Sequence, residues 1–259
     1  MILQETTSVA QLFNMGKNYL AIRNYEKAQE YLTAAVLKGS SKAARELMHL
    51  AQCFYEERNP AAEVCFQTLA GRGSAEACLY LGRMCLRAVG REKNYDEAFS
   101  WFDQGYTLGS AEAAYEAGMM ILPDIFRDET AKACATDWFH AAAEGGFVPA
   151  YTQLGLICCA QGDEQLKEAL DYFLAGTEGG DTDSMVYAAQ MYLDGAGTSK
   201  NVTLGLSLLQ RAADAGNAKA CRALGDLYER GAHVDKDTEK AAAYYKLAEK
   251  YDDEKYDDE

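Results

Sequence analysis

The sequence predicts an all-α protein, a right-handed α-solenoid of about seven stacked helix-turn-helix repeats. Three observations predict it. A short motif recurs at nearly fixed spacing, small and large residues share helical faces within each period, and proline is almost absent. The motif is a glycine, a small or polar residue, two further residues and an alanine. It stands at Gly39-Ser-Ser-Lys-Ala43, Gly73-Ser-Ala-Glu-Ala77, Gly109-Ser-Ala-Glu-Ala113, Gly146-Phe-Val-Pro-Ala150 and Gly216-Asn-Ala-Lys-Ala220, with Gly180-Asp-Thr-Asp-Ser184 carrying serine in the alanine's place. Successive glycines lie 34, 36, 37, 34 and 36 residues apart, a period that marks stacked helix pairs. The 3 prolines and a hydrophobic fraction of 49% belong to a folded helical chain rather than a disordered one.

Each period divides into two helices. The first carries an apolar residue, a small one, and an aromatic or apolar residue three positions on. The first copy is Met15-Gly16-Lys-Asn-Tyr19; Leu50-Ala51-Gln-Cys-Phe54 fits with about three residues inserted after Gly39. Leu81-Gly82-Arg-Met-Cys85, Ala117-Gly118-Met-Met-Ile121, Leu154-Gly155-Leu-Ile-Cys158, Ala188-Ala189-Gln-Met-Tyr192 and Leu224-Gly225-Asp-Leu-Tyr228 follow. The second helix carries an alanine and then two large residues three and four positions later, as in Ala98-Phe-Ser-Trp101-Phe102, Ala169-Leu-Asp-Tyr172-Phe173 and Ala241-Ala-Ala-Tyr244-Tyr245. That spacing places them on one helix face. A glycine inside the first helix costs roughly 0.5–1 kcal/mol, which is explained if it admits an aromatic of the second. The later glycine is explained as the residue that ends the second helix. The units are read as 6–39, 43–73, 76–109, 112–146, 149–180, 183–216 and 219–252 of one solenoid body spanning 1–259, with 253–259 as an acidic tail whose charged residues would give the stack a polar end.

The formal charge is -15. Phosphate backbones and anionic lipid would be repelled, so neither nucleic acid nor a membrane is an expected partner. A protein or peptide partner, a basic one included, is compatible with the charge; solubility alone explains it equally well. No apolar run approaches the roughly 18 residues of a membrane span, and the first residues lack the basic start and apolar core of a secretion signal. The chain as given reads as cytoplasmic.

Leu224-Gly225-Asp-Leu-Tyr228-Glu-Arg-Gly231-Ala-His-Val234-Asp-Lys-Asp237, followed by Lys240-Ala241-Ala-Ala-Tyr244-Tyr245-Lys246, resembles the Sel-one-like repeat family, a relative of the tetratricopeptide repeats. Tyr192-Leu-Asp-Gly195-Ala-Gly197, Arg211-Ala-Ala-Asp-Ala-Gly216-Asn217 and Trp138-Phe-His-Ala-Ala-Ala-Glu-Gly145 carry the same pattern. The resemblance covers about residues 6 to 252 and is clearest in units six and seven. It implies first helices lining a concave surface, and a role among adaptors and scaffolds for other proteins.

Eight cysteines raise the questions of disulfides and metal. Cys78 and Cys221 hold equivalent sites with no cysteine opposite, and Cys85 and Cys158 occupy the slot that Tyr19, Tyr192 and Tyr228 fill elsewhere. They read as buried thiols of a reducing compartment. No Cys-x-x-Cys pair exists, so neither metal nor cofactor is expected. His49, His140 and His233 fall at unrelated places, with no nucleophile at a recurring spacing and no phosphate loop. The expectation is a protein that is not an enzyme.

If tetratricopeptide geometry carries over, the residue after the small one faces the groove, as do those three and four further on. One row is then Lys17, Gln52, Arg83, Met119, Leu156, Gln190 and Asp226; a second is Leu20, Tyr55, Leu86, Leu122, Cys159, Leu193 and Glu229. The expected partner site is an apolar strip of Met119, Leu122 and Leu156 with Tyr115 one turn before, flanked by Arg83 and Arg87 on one side and by Asp226, Glu229 and Arg230 on the other. Such a strip suits an amphipathic helix or extended peptide; tighter curvature that buries it is the competing expectation. Within the scaffold class, an inhibitor or immunity-type protein that occludes a basic toxin or enzyme is the specialised alternative.

Overall fold

Residues 7–124 and 128–257 are described by the computed structural model, and all their regular structure is helical. Seven pairs follow in chain order. They are α1 (Val9–Ala21) with α2 (Tyr25–Leu37), α3 (Ser41–Glu56) with α4 (Ala61–Ala70), and α5 (Ala75–Arg87) with α6 (Tyr95–Thr107). Then come α7 (Ala111–Ile121) with α8 (Glu129–Glu144), α9 (Pro149–Gln161) with α10 (Leu166–Glu178), α11 (Thr182–Asp194) with α12 (Val202–Asp214), and α13 (Ala218–Arg230) with α14 (Thr238–Asp257). The pairs fall into two compact units, residues 1–138 and 139–259, with the division inside α8.

The recurring Gly-Ser-x-x-Ala stretch works as a hinge between pairs. Gly39 takes φ +92°, a left-handed conformation that favours glycine. Its N–H donates to the Val36 carbonyl at 2.8 Å, and the Ser40 N–H to the Ala35 carbonyl at 3.0 Å, closing α2. Ser40 then opens α3, its Oγ accepting the Ala43 N–H at 3.1 Å. Ser74, Ser110, Asp181 and Asn217 cap α5, α7, α11 and α13 in the same way. Two adjacent residues thus stop one helix and start the next. The alanine that follows is fully buried at Ala43, Ala77, Ala113 and Ala220, where a larger side chain would hold the neighbouring pair away. The α8–α9 junction departs from the rule: Val148 offers no side-chain cap, and Pro149 presets the first helical turn instead.

Inside the pairs, the first-helix glycine and the second-helix aromatic meet as the pattern predicts. A Cβ built on Gly155 would lie 2.5 Å from Phe173 Cε1, and one on Gly225 would lie 2.6 Å from Tyr245 Cε1. Phe102 occupies the matching space over Gly82. Phe66, Phe102, Phe139 and Phe173 are among the largest fully buried side chains. In unit 1 a core runs from Leu12 through Leu32, Leu47, Phe66 and Leu81 to Val89; in unit 2 another runs from Cys158 through Phe173, Leu193, Leu209 and Leu224 to Ala248.

Two expectations need correction. The acidic tail expected at 253–259 begins as a continuation of helix: α14 runs on to Asp257, after Tyr251 has packed against the unit 2 core and Asp252 has paired with Arg222. Residues 258–259 lie outside the described residues. The thiols are also not uniformly buried. Cys65, Cys78, Cys85, Cys158 and Cys221 are, Cys159 is half-buried, and Cys53 and Cys134 are exposed; all eight are free. Burial pushes the Cys65 thiol up to about 12. Burial, then Glu168 and Cys159, push Cys158 up to about 11. Because the thiolate is the nucleophile, a disulfide reagent such as Ellman's is expected to titrate Cys53 and Cys134 quickly in the native protein and the others only on unfolding. Immediate reaction of all eight would contradict this packing.

Candidate functional site

In unit 1 the first helices α3, α5 and α7 are linked along one face by polar contacts. Gln52 Nε2 donates to Glu76 Oε1 at 2.9 Å and to the Tyr80 hydroxyl at 3.4 Å. One pair further on, Arg83 Nη2 reaches Glu112 Oε1 and Glu116 Oε1, each at 2.6 Å, while its Nε donates to Glu116 at 2.8 Å. Partial burial pulls the Arg83 guanidinium down, but hydrogen bonds and charge from Glu112 and Glu116 outweigh it, so its pKa rises. Arg83 was expected to offer a positive charge beside the strip. Instead it clamps α5 to α7, and two carboxylates absorb its charge.

The rest of the unit 1 site is more open. Leu86 is half-buried, leaning on the cluster of Leu79, Cys85, Ala98 and Phe102, and Arg87 is exposed in the last turn of α5. Tyr115 and Met119 are half-buried on α7. Leu122 is also half-buried, but it sits in the 3₁₀ turn Leu122–Asp124 that follows α7 rather than on the helix itself.

Unit 2 treats its predicted residues differently. Leu156 is half-buried against the core, and Gln190 is exposed, donating to Asp194 Oδ2 at 2.6 Å. Leu193, expected on the open face, is buried at 2% exposure. The cause is Gly205 on α12, which stands where α6, α10 and α14 carry Ala98, Ala169 and Ala241. A Cβ there would lie 2.8 Å from Leu193 Cγ, so the glycine lets α12 close over the leucine. Asp226 and Glu229 both accept from the Tyr245 hydroxyl, at 2.7 and 2.9 Å. The hydrogen bond to Asp226, reinforced by desolvation and Glu229, pushes the tyrosine pKa well up, so it remains a donor. Both carboxylates are therefore held within the α13–α14 pair.

Sequence reasoning missed the clefts at the pair junctions. One, of about 380 Å³ in unit 1, is lined by Ala44, Arg45, Met48, His49, Leu69 and Arg72 among others. Another, of about 590 Å³ in unit 2, is lined by Asp183, Asn217, Lys219, Arg222, Tyr251 and Asp252 among others. The signal lay in the shared register of Lys42 and Arg45 after Ser40 with Lys219 and Arg222 after Asn217. The histidines do not converge: His49 lines the unit 1 cleft, His140 Nε2 lies 3.5 Å from the Tyr172 hydroxyl, and His233 has φ +66° in the loop after α13. Among the described residues no group of three His, Cys, Asp or Glu could hold a metal ion.

Comparison with known proteins yields a family. A model of the Sel1 repeat matches residues 8–40, 75–110, 111–147, 182–217 and 218–250. The two intervening stretches contain the lengthened α3 and the proline-started α9, and they fold as helix pairs all the same. An uncharacterised protein of Neisseria meningitidis serogroup B is 28% identical over 160 residues, 61% of this chain and 33% of that protein. The chain thus spans about a third of that curated relative's length. Among solved structures, a Sel1 repeat protein from Oxalobacter formigenes superposes with a TM-score of 0.71 at 22% identity, covering 92% of this chain and 96% of its own. A protective antigen of uropathogenic Escherichia coli with an SLR fold reaches 0.69 at 21% identity, covering 94% and 62%. An immunity protein of Pseudomonas aeruginosa reaches 0.54 at 20% identity, covering 78% and 82%. These structural likenesses establish the α-solenoid fold.

Proposed function

Because the chain belongs to the Sel1 repeat family, we propose that it is a non-catalytic interaction scaffold that binds a protein or peptide across the first-helix face of unit 1. The observation that carries the reading is the division of labour on that face. Gln52 and Arg83 are spent on holding α3, α5 and α7 together, whereas Leu86, Arg87, Tyr115, Met119 and Leu122 remain partly or fully open to solvent beside them. Half-buried apolar side chains next to an exposed arginine are the composition of an interface core with a polar rim. No helix among the described residues is long and apolar enough to cross a membrane, and free thiols suit a reducing compartment such as the cytoplasm.

Affinity capture of the full chain from its own cell extract tests the reading, with Met119→Asp and Val64→Asp alongside. Val64 is 52% exposed on α4, a second helix. A partner retained by Val64→Asp and lost by Met119→Asp is the expected result; retention in both, with helicity unchanged, refutes the face. Leu156→Asp asks the same of unit 2.

A second reading is an immunity-type protein that occludes a basic toxin or enzyme. The exposed acidic residues Asp163, Glu164, Glu168, Asp171 and Glu178 of unit 2, with Lys167 the one cation among them in the sequence, favour it, because such a surface accelerates encounter with a basic partner.

A further inference from the structure

The unit 1 junction cleft contains two arginines that no carboxylate among the described residues pairs with. Arg45 and His49 line it from α3 and Arg72 from the turn after α4, over a floor of Ala44, Met48 and Leu69. Arg72 Nη2 reaches to 3.7 Å of where a Cβ on Gly39 would stand, so the guanidinium lies along the preceding turn. The cleft has one carboxylate, Glu76, and it is turned to the Gln52 amide. Among the described residues neither arginine forms an ion pair.

The last repeat shows what the same register does when its charges are matched. Counted from the capping residue, Lys42 and Arg45 correspond to Lys219 and Arg222. Lys219 Nζ lies 2.7 Å from Asp183 Oδ2, and Arg222 is paired with Asp252 from the last turns of α14, with Tyr251 beside it in the cleft. At the end of α4, the second repeat brings Arg72 rather than an aspartate. Two guanidiniums therefore face a space where the last repeat places one guanidinium and one carboxylate. In a chain with 40 acidic and 25 basic residues, two exposed guanidiniums side by side with no ion pair of their own leave a local positive site open to an acidic partner.

We propose that this cleft docks an acidic segment of another polypeptide, a carboxylate sitting against Arg45 and Arg72 as Asp252 sits against Arg222, with a neighbouring apolar or aromatic side chain on Met48 and Leu69. Paired guanidiniums suit a carboxylate because each presents a planar fork of donors, and the apolar floor supplies what a bare anion cannot use. The cleft borders the first-helix face through Gln52 and Glu76, but Met119 does not line it and the proposal does not depend on binding at Met119.

The chain's own YDDEKYDDE sequence, residues 251–259, has the required chemistry and serves as a fluorescein-labelled peptide probe for anisotropy with the full chain. Saturable binding is expected that falls about tenfold or more in Arg45→Glu/Arg72→Glu and weakens as salt rises. It should be unchanged in Met119→Asp and in Arg58→Glu, a variant of an exposed arginine in the α3–α4 loop. If the double reversal perturbs folding, Arg45→Gln/Arg72→Gln gives the same reading with smaller charge change. The proposal is overturned by absent saturable binding, by equal binding in the double variant, or by displacement with inorganic phosphate at the peptide's own concentration, which would mark an anion site indifferent to peptide. Loss in Met119→Asp alone would place the peptide on the other face and overturn it as well.

Discussion

Phe173→Ala is expected to destabilise unit 2 by about 3–5 kcal/mol, the cost of emptying a buried phenylalanine site that cannot collapse. The ring is 1% exposed and lies directly over Gly155, with Tyr187 stacked on it at 5.1 Å between centroids. Nothing in α9 can fill the space, since the residue facing it has no side chain. The same geometry predicts the reverse experiment. Gly155→Ala gains about 1 kcal/mol of helix propensity but drives a methyl into a ring that has nowhere to go, which costs about 1–3 kcal/mol. The net is a loss. Gly225→Ala meets Tyr245 at nearly the same distance, but that ring is only half-buried and can move outward at the expense of its hydrogen bonds to Asp226 and Glu229, so a smaller loss than at Gly155 is expected. Urea unfolding of the three variants checks the ranking; equal effects at Gly155 and Gly225 would show that the seam is not what sets the packing.

Arg83→Met is expected to have the second largest effect, about 1–3 kcal/mol. It leaves Glu112 and Glu116 facing each other across one turn of α7 with no counter-charge. The arginine side chain is 21% exposed and Glu116 20%, but Glu112 is 39% exposed, so solvent screening keeps the loss at the lower end of that range. Adding Glu112→Gln and Glu116→Gln to Arg83→Met should restore most of the lost stability, as followed by thermal unfolding. A triple variant no better than Arg83→Met would assign the loss to packing of the arginine's stem instead.

The repeat architecture was legible because its signals are local. A glycine that must take positive φ, a capping side chain next to it, and a buried alanine three residues into the helix all lie within five residues of one another. The first-helix glycine and second-helix aromatic were also readable, because their spacing repeats with the helical period. The candidate site was less so, because it depends on which residues meet across a period. Arg83 finds its partners 29 and 33 residues away, and no spacing rule within a helix announces that. Leu193 was placed in the open row on the phase of its own helix. Gly205, which buries it, belongs to the next helix and substitutes for an alanine only in that repeat. Asp226 and Glu229 likewise look free along α13 until Tyr245 arrives from α14.

The central claim is that the first-helix face of unit 1, rather than the second helices, receives a polypeptide. Site-specific photo-crosslinking tests it most directly: a photoreactive residue at Met119 in one sample and at Val64 in another, irradiated in native extract. A polypeptide adduct from position 119 and none from position 64 is the predicted result. Adducts from 64 with none from 119 would contradict it.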